Sequence, residues 1–267
     1  MPIQKIPLEA LQKIRQQIKN ALELPDSENH PRSWSSLDEV DELPEPDSLS
    51  DLGDLFSFGG VPEEETHVPN TNGKWFISTT NPGAVLTKLP GLKLKAAVRL
   101  VGYLHRTAED GVGVIWAVPE DLSTTAQLEK ALASSGDQQH PPQPEGAFAD
   151  VMAAIHGDRS PASWIVASML RREFREFGAL GKSCNWLHHR LIDTVPTQAK
   201  WQWRVANPPK DLAPKVVIYP DNKVAIEFFT CRVTAPVAIF QHIDQYPPNQ
   251  YQAASVDRPI AIPQKPS

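Results

Sequence analysis

Residues 215–244 read KVVIYPDNKVAIEFFTCRVTAPVAIFQHID, and this stretch decides the fold class. It contains runs rich in valine, isoleucine and phenylalanine at residues 215–219, 223–231 and 236–244. Such residues favour β-strands, and Pro220-Asp221-Asn222 supplies a turn between the first two runs. Because links this short cannot carry the chain back for parallel pairing, the stretch predicts three antiparallel strands.

A second β region lies upstream. KWFIST at residues 74–79 predicts a short strand, and residues 96–106 alternate in the manner of a strand with one buried face. The turn dipeptide Asp110-Gly111 follows, and the almost wholly apolar residues 112–118 predict a strand at the centre of a sheet. Residues 96–118 therefore predict a β-hairpin.

Four segments have helical signals. Apolar residues at spacings of three and four predict an amphipathic helix over residues 7–24 that packs on its own domain. A capping box starting at Thr124 predicts a second helix, and Ser160-Pro161 starts a third that runs to Gly178. A fourth is predicted over residues 182–192. The fold class is therefore α+β, mostly antiparallel sheet with several helices.

The composition divides the chain into four parts. Residues 1–25 are the amphipathic helix, 26–73 an acidic, mostly disordered docking segment, 74–246 an α+β globular domain, and 247–267 a proline-rich tail expected to fray. Within the globular domain, the polar connector DQQHPPQPEG at residues 137–146 either separates two subdomains or forms one long surface loop.

The acidic segment carries the strongest functional signal. Between Asp26 and Thr66, thirteen acidic residues and one basic residue, Arg32, give a charge of −12, so the remainder carries +6 of the total of −6. Exposed apolar side chains in such a segment predict docking on another protein through residues 34–58. The predicted contact residues are Leu49, Leu52, Leu55, Phe56 and Phe58. The alternative is that the segment folds back on its own mildly basic body.

The cysteine count and hydropathy bound the class of protein. Two cysteines are too few for a disulfide framework, and the first residues lack the apolar core of a signal peptide. The longest apolar runs fall far short of the roughly 20 residues that cross a bilayer. We therefore expect a cytoplasmic protein without a membrane span; the sequence leaves its oligomeric state open.

The sequence offers one weak catalytic candidate. On the predicted helix, a spacing of four places Cys184 and His188 on one face, next to His189. A catalytic thiolate needs a base that lowers its pKa, and a buried free cysteine beside surface histidines is the competing interpretation. The ligand set is incomplete for a metal, and no cofactor is predicted. Gly181-Lys182-Ser183 is read as a tight turn, because Glu176 stands where a phosphate loop needs glycine.

A basic helix raises the question of nucleic acid. Arg171, Arg172 and Arg175 are interrupted by Glu173 and Glu176, and the pI of about 5.8 argues against nucleic-acid binding. We interpret these charges as a solvated helix face. The leading hypothesis is a soluble, non-enzymatic interaction protein: an adaptor, assembly factor or regulator. The alternative is a cytoplasmic enzyme with a Cys/His site near Cys184 and the acidic segment as its lid.

Overall fold

The computed structural model describes residues 3–29 and 73–264. These residues form helices and antiparallel sheets, which confirms the predicted α+β class. The α-helices are α1 (Leu8–Ala21), α2 (Asp26–Asn29), α3 (Thr125–Ala133) and α4 (Pro161–Arg175). The strands are β1 (Ile3–Lys5), β2 (Trp75–Ile77), β3 (Leu92–Leu94), β4 (Val98–Arg106), β5 (Gly111–Pro119), β6 (Ile155–Gly157), β7 (His189–Ile192), β8 (Trp201–Trp203), β9 (Lys215–Ile218), β10 (Val224–Arg232), β11 (Ala238–Tyr246) and β12 (Ala254–Pro263). Across the described ranges, no helix combines the length and the apolar character that crossing a membrane requires.

The larger sheet has seven strands, all antiparallel, in the order β1-β9-β10-β11-β12-β8, with β7 also paired to β10. β10 pairs with β11 along one edge. Its other edge is shared, because residues 224–227 pair with β9 and residues 229–232 pair with β7. The three strands predicted within residues 215–244 are thus confirmed as β9, β10 and β11.

The smaller sheet has the order β2-β4-β5 and contains the predicted hairpin, while β3 and β6 form a separate pair. The sequence predicts β5 to be central, but β4 holds that position and β5 lies at the edge. Its apolar character has another cause, which is that both faces of the sheet are covered. Leu100 and Ile115 pack into the main core, whereas Val101 packs with Leu128 of α3.

Helix α4 is the central helix of the body, buried over most of its length. It starts as predicted, with the Ser160 hydroxyl accepting a hydrogen bond from the N–H of Ser163 (3.1 Å) and Pro161 as its first residue. A helix that is apolar on most sides belongs in a core. Leu11 and Ile18 of α1 are buried in the same core, which confirms that α1 packs on its own domain.

The polar connector at residues 137–146 runs along the small sheet as a surface loop. The indole N–H of Trp75 donates to the carbonyl of Asp137 (2.8 Å), and that of Trp116 donates to the carbonyl of Pro142 (2.7 Å). The main hydrophobic core contains residues from both sheets. These contacts favour the surface-loop alternative over a linker between subdomains.

The helix predicted over residues 182–192 does not form. The amide N–H groups of Asn185 and Trp186 donate to the carboxylate of Glu176 instead of entering a helical ladder. The chain then pairs with β10 as β7. Long-range partners therefore override the local periodicity. In place of the helix there are short 3-10 turns at Gly181–Ser183 and Trp186–His188.

The prediction that the chain frays after residue 247 is also wrong. β12 pairs with β11 on one edge and with β8 on the other. The proline content that suggests fraying is accommodated locally, because Pro259 lies where the register of β11 and β12 shifts, between Ile239 and Phe240. Proline lacks the N–H that a regular ladder uses, and an irregular position in a strand tolerates it.

The first residues of the acidic segment belong to the ordered body. The sequence predicts disorder from residue 26, but residues 26–29 form α2 and Glu28 is buried. The Glu28 carboxylate accepts hydrogen bonds from the Ser78 hydroxyl and from the N–H and hydroxyl of Thr79, each at 2.6 Å. These bonds fix the chain on the body up to Asn29.

Candidate functional site

The predicted docking residues lie outside the residues that the structure describes; they are Leu49, Leu52, Leu55, Phe56 and Phe58. The described residues on either side nevertheless fix where this segment leaves and rejoins the body. Arg106 Nε donates to the carbonyl of Glu28 (2.9 Å), and the Arg106 carbonyl accepts from the N–H of Gly73 (2.6 Å). The segment of residues 30–72 therefore begins and ends beside one residue.

Arg106 is itself held firmly. Its guanidinium is buried and also donates to the carbonyl of Gly178 (2.6 Å), just beyond the end of α4. The carbonyl of the adjacent residue, His105, also accepts from this side chain (3.3 Å), so the Arg106 donors reach three backbone carbonyls. Arg106 therefore fixes the chain on both sides of the acidic segment, at Glu28 through its side chain and at Gly73 through its backbone carbonyl.

The predicted Cys/His pair is not assembled. His189 Nδ1 lies 2.8 Å from the Thr230 hydroxyl, and among the described residues no hydrogen bond joins Cys184 to His188 or His189. Burial and the nearby carboxylate of Glu176 raise the pKa of the Cys184 thiol. A thiolate nucleophile needs a lowered pKa, so this environment is the opposite of what the enzyme hypothesis requires.

The Gly-Lys-Ser turn is occupied by a carboxylate. The N–H and hydroxyl of Ser183 donate to Asp110 at 3.1 and 2.7 Å, using donors that a phosphate would need. Gly181 has φ 59°, and a Cβ there would lie 2.0 Å from the carbonyl oxygen of Glu109. The turn is therefore a structural one, in agreement with the sequence-based interpretation.

A network of buried charges, which the sequence does not indicate, lies at the C-terminal end of α4. Arg172 donates to both carboxylate oxygens of Asp244, at 2.6 and 3.0 Å, and to Asp257 at 2.7 Å. Burial opposes the charge of Arg172, but the two carboxylates outweigh it and raise its pKa. The predicted solvated face is wrong for this residue, whose side chain is 5% exposed.

The next residue of α4 binds in a different direction. The carboxylate of Glu173 accepts from Arg15 Nε of α1 (2.7 Å) and from the indole N–H of Trp186 (2.6 Å). The Arg15 guanidinium also lies over the Trp186 ring, 4.5 Å from its centroid. Consecutive residues thus tie α4 to the large sheet through Arg172 and to α1 through Glu173.

Two histidines extend the network through one hydroxyl. His242 Nδ1 lies 2.7 Å from Asp257, and its Nε2 lies 2.8 Å from the Thr230 hydroxyl, which also contacts His189 Nδ1. Burial opposes the charge of Asp257, but the interactions with His242 and Arg172 together outweigh it, so the pKa of Asp257 is lowered and its carboxylate is an acceptor. His242 then donates through Nδ1 and accepts from Thr230, which accepts in turn from His189. This assignment leaves His189 Nε2 as an unprotonated acceptor.

The hydroxyl, imidazole and carboxylate stand in the order of a catalytic triad, but they lack its properties. Thr230 is 0% exposed, so a substrate does not reach it. Burial, then the charges of neighbouring groups, lowers the pKa of His189 to about 3, and burial also lowers the pKa of His242. A general base works best with a pKa near the operating pH. The chain of bonds therefore orients these side chains, and we assign it no proton transfer.

A cleft of about 320 Å³ opens beside this network. Its walls are the end of α4, the turn that follows, and strands β7, β10, β11 and β12. Its ionisable lining consists of Arg172, Arg175, Glu176, His189, Arg232, His242 and Asp257. The volume lies at the small end of the range for ligand pockets. Within the two described ranges, no group of three or more His, Cys, Asp or Glu is placed to hold a metal ion.

A second depression, which we call the α1 groove, has a volume of about 550 Å³ and lies between α1 and β7. Its lining includes the cations Lys19 and Arg190 and the apolar side chains of Leu187 and Val233. Leu187 and Val233 are 49% and 44% exposed. Asp193 also lines the α1 groove, but basic residues outnumber it, so the α1 groove has the charge and apolar character that complement the acidic segment.

The cleft was missed because its members come from scattered elements. One local signal was present in β10, where Thr230 shares a face with the buried Ile226 and Phe228. A polar residue at an inward position of a strand requires a buried partner. His242, which stands opposite Phe228 in β11, is that partner, but a single sequence does not give the register that brings them together.

Compared with protein-family models, with curated proteins and with solved structures, the chain matches none. A function must therefore be argued from the geometry and chemistry of the chain itself.

Proposed function

We propose that this is a non-enzymatic interaction protein, an adaptor, assembly factor or regulator, that docks on another protein through residues 34–58. The observation that supports this proposal is the anchoring of both ends of the acidic segment at Arg106. A segment held at both ends is presented by the body at a defined place, and ordering it on a partner costs less entropy than ordering a free tail.

The composition of the segment specifies the kind of partner. The apolar residues Leu49, Leu52, Leu55, Phe56 and Phe58 suit an apolar groove, as in the docking of an amphipathic helix. The acidic residues around them favour a basic rim. The partner is therefore expected to carry a groove with an apolar floor and lysine or arginine at its edges, and binding should weaken as salt screens the rim charges.

The chain's own body is the competing binding surface. The α1 groove carries Lys19 and Arg190 beside exposed apolar side chains, so the same chemistry is available within the molecule. Self-docking would mask the segment until a partner displaced it. We favour docking on a partner. Docking on the body would require all five apolar side chains of positions 49–58 to fit the α1 groove, one side of which is already formed by α1.

The test is capture from native cytoplasm by the immobilised full chain and by a variant with the five apolar residues of positions 49–58 changed to serine. We expect the full chain to retain a protein that the variant loses. A control variant, with Trp34, Leu37, Val40 and Leu43 changed to serine, should retain more of it. Equal retention by the full chain and the five-serine variant would overturn the proposal.

The Cys184 enzyme hypothesis gains no support from the raised pKa of the thiol. Alkylation should accordingly be slow near neutral pH and accelerate only as the pH rises above the ordinary cysteine pKa of about 8.5. Rapid labelling of Cys184 below pH 7 would revive that hypothesis.

A further inference from the structure

Buried guanidinium groups at the cleft beside α4 have unused hydrogen-bond donors. Among residues 3–29 and 73–264, Arg172 Nε and Arg232 Nε are buried and have no hydrogen-bond partner. In the same part of the chain, Arg175 and Arg232 have no carboxylate within 4.0 Å. Buried polar groups in native proteins are almost always satisfied, so the Nε atoms of Arg172 and Arg232 call for an acceptor.

The acidic groups of the cleft are already engaged. Asp257 accepts from Arg172 and contacts His242, and Glu176 accepts from two backbone N–H groups. Asp244, beneath the cleft, is bound by both Nη atoms of Arg172. Arg175, which is exposed, and Arg232, which is half-buried, have no carboxylate partner among the described residues, so both guanidinium groups are available to an acceptor that enters the cleft from outside.

We propose that the cleft binds a small free oxyanion, a carboxylate or phosphate, with Arg175 and Arg232 as its charge partners and His189 Nε2 accepting a hydrogen bond from a hydroxyl group of the ligand. Guanidinium is well suited to this role because its planar fork matches both carboxylate and phosphate oxygens. The inference is independent of the docking proposal, since it uses none of residues 34–58.

The shape and hydrogen bonding of the cleft narrow the ligand class. A volume of about 320 Å³ suits a compact metabolite and is small for a nucleotide. The direction of the bonds through His242 and Thr230 makes His189 Nε2 an acceptor, so the ligand should carry a donor next to its anionic group. Hydroxy acids and monohydrogen phosphate both meet this description.

Isothermal titration of the full chain at constant ionic strength, set with chloride, tests the proposal with inorganic phosphate, malate and succinate as probes. Malate and succinate differ by one hydroxyl group, which is the group that His189 should accept from. We expect saturable binding of phosphate and malate and weaker binding of succinate. Arg232→Gln and Arg175→Gln should each raise the malate Kd at least about tenfold.

Arg190→Gln is the matched control, because Arg190 lines the α1 groove and not this cleft. It should leave the malate Kd unchanged. The proposal is overturned if the full chain shows no saturable binding of any probe, or if Arg190→Gln weakens malate as much as Arg232→Gln. It is also overturned if binding appears only after residues 30–72 are replaced by a short Gly/Ser linker, which would identify the acidic segment as the occupant.

Discussion

At the scale of single residues, Arg172 and Arg106 organise the molecule in different ways. Arg172 pairs with two carboxylates and brings β11 and β12 to the end of α4. Arg106 instead donates to backbone carbonyls, and so joins the flank of the acidic segment to the core. A buried cation whose partners are charged leaves uncompensated charges when it is removed, and this makes Arg172 the more sensitive of the two.

Arg172→Met should therefore destabilise the protein by about 3–5 kcal/mol, because Asp244 would remain buried without its cation. The measurement is the free energy of unfolding in urea, followed by circular dichroism. Arg190→Met is the control, since Arg190 is exposed and its side chain has no hydrogen bond or ion pair among the described residues, so the change should cost within about 1 kcal/mol. Equal losses for the two variants would contradict the assigned role of the Arg172 pair.

Acidification should destabilise the fold through its buried histidines. The pKa of His189 is lowered to about 3 by burial and then by neighbouring charges, against an unfolded value of about 6.5. Because the unfolded chain binds the proton more tightly, the contribution of His189 to stability is fully present above about pH 6.5. Below that pH the free energy of unfolding falls by up to about 1.4 kcal/mol per pH unit. The lowered pKa values of Asp244 and Asp257 act in the same direction at lower pH, below about 4.

His189→Asn provides the check on this pH dependence. The amide N–H of asparagine replaces the Nδ1–H that reaches Thr230, but asparagine does not titrate. Urea unfolding near pH 7 and pH 5 should show a smaller loss of stability on acidification in the variant than in the unaltered protein. The same loss in both would place the acid-sensitive group elsewhere.

At the scale of elements, β12 has a larger structural role than its proline-containing sequence indicates. It joins β8 to the rest of the large sheet and supplies Asp257 to the buried network. A chain ending at residue 253 should therefore lose the cooperative thermal unfolding that a folded domain shows. Removing residues 265–267 is the control and should leave the melting temperature unchanged. A cooperative melt of the chain ending at residue 253 would contradict this role of β12.

The elements that the sequence predicts correctly are those whose signals are local. The Ser160-Pro161 start, the capping box at Thr124 and the Val/Ile/Phe runs of β9 to β11 depend on neighbours in the chain. β7 and β12 instead acquire their structure from distant strands, and the cleft depends on their register. Periodicity gives no access to that register, and for this reason Arg172 is misread as a solvated residue.

At the scale of the whole molecule, the body includes the chain on both sides of the acidic segment. α1 contributes Leu11 and Ile18 to the main core, so a chain starting at residue 74 loses part of that core. We expect this truncated chain to be strongly destabilised. Replacing residues 30–72 by about six Gly and Ser residues, which reach roughly 20 Å when extended, should leave the melting temperature within a few degrees of the full chain. Failure of this linker variant to fold would show that the segment is part of the core.

The docking proposal requires that the acidic segment is presented to a partner and does not belong to the body. Hydrogen exchange of the full chain and the linker variant, compared amide by amide, tests it most directly. We expect the same exchange in both chains around Lys19, Leu187 and Arg190 of the α1 groove. Slower exchange there in the full chain alone would show that the segment binds its own body, and would contradict the claim.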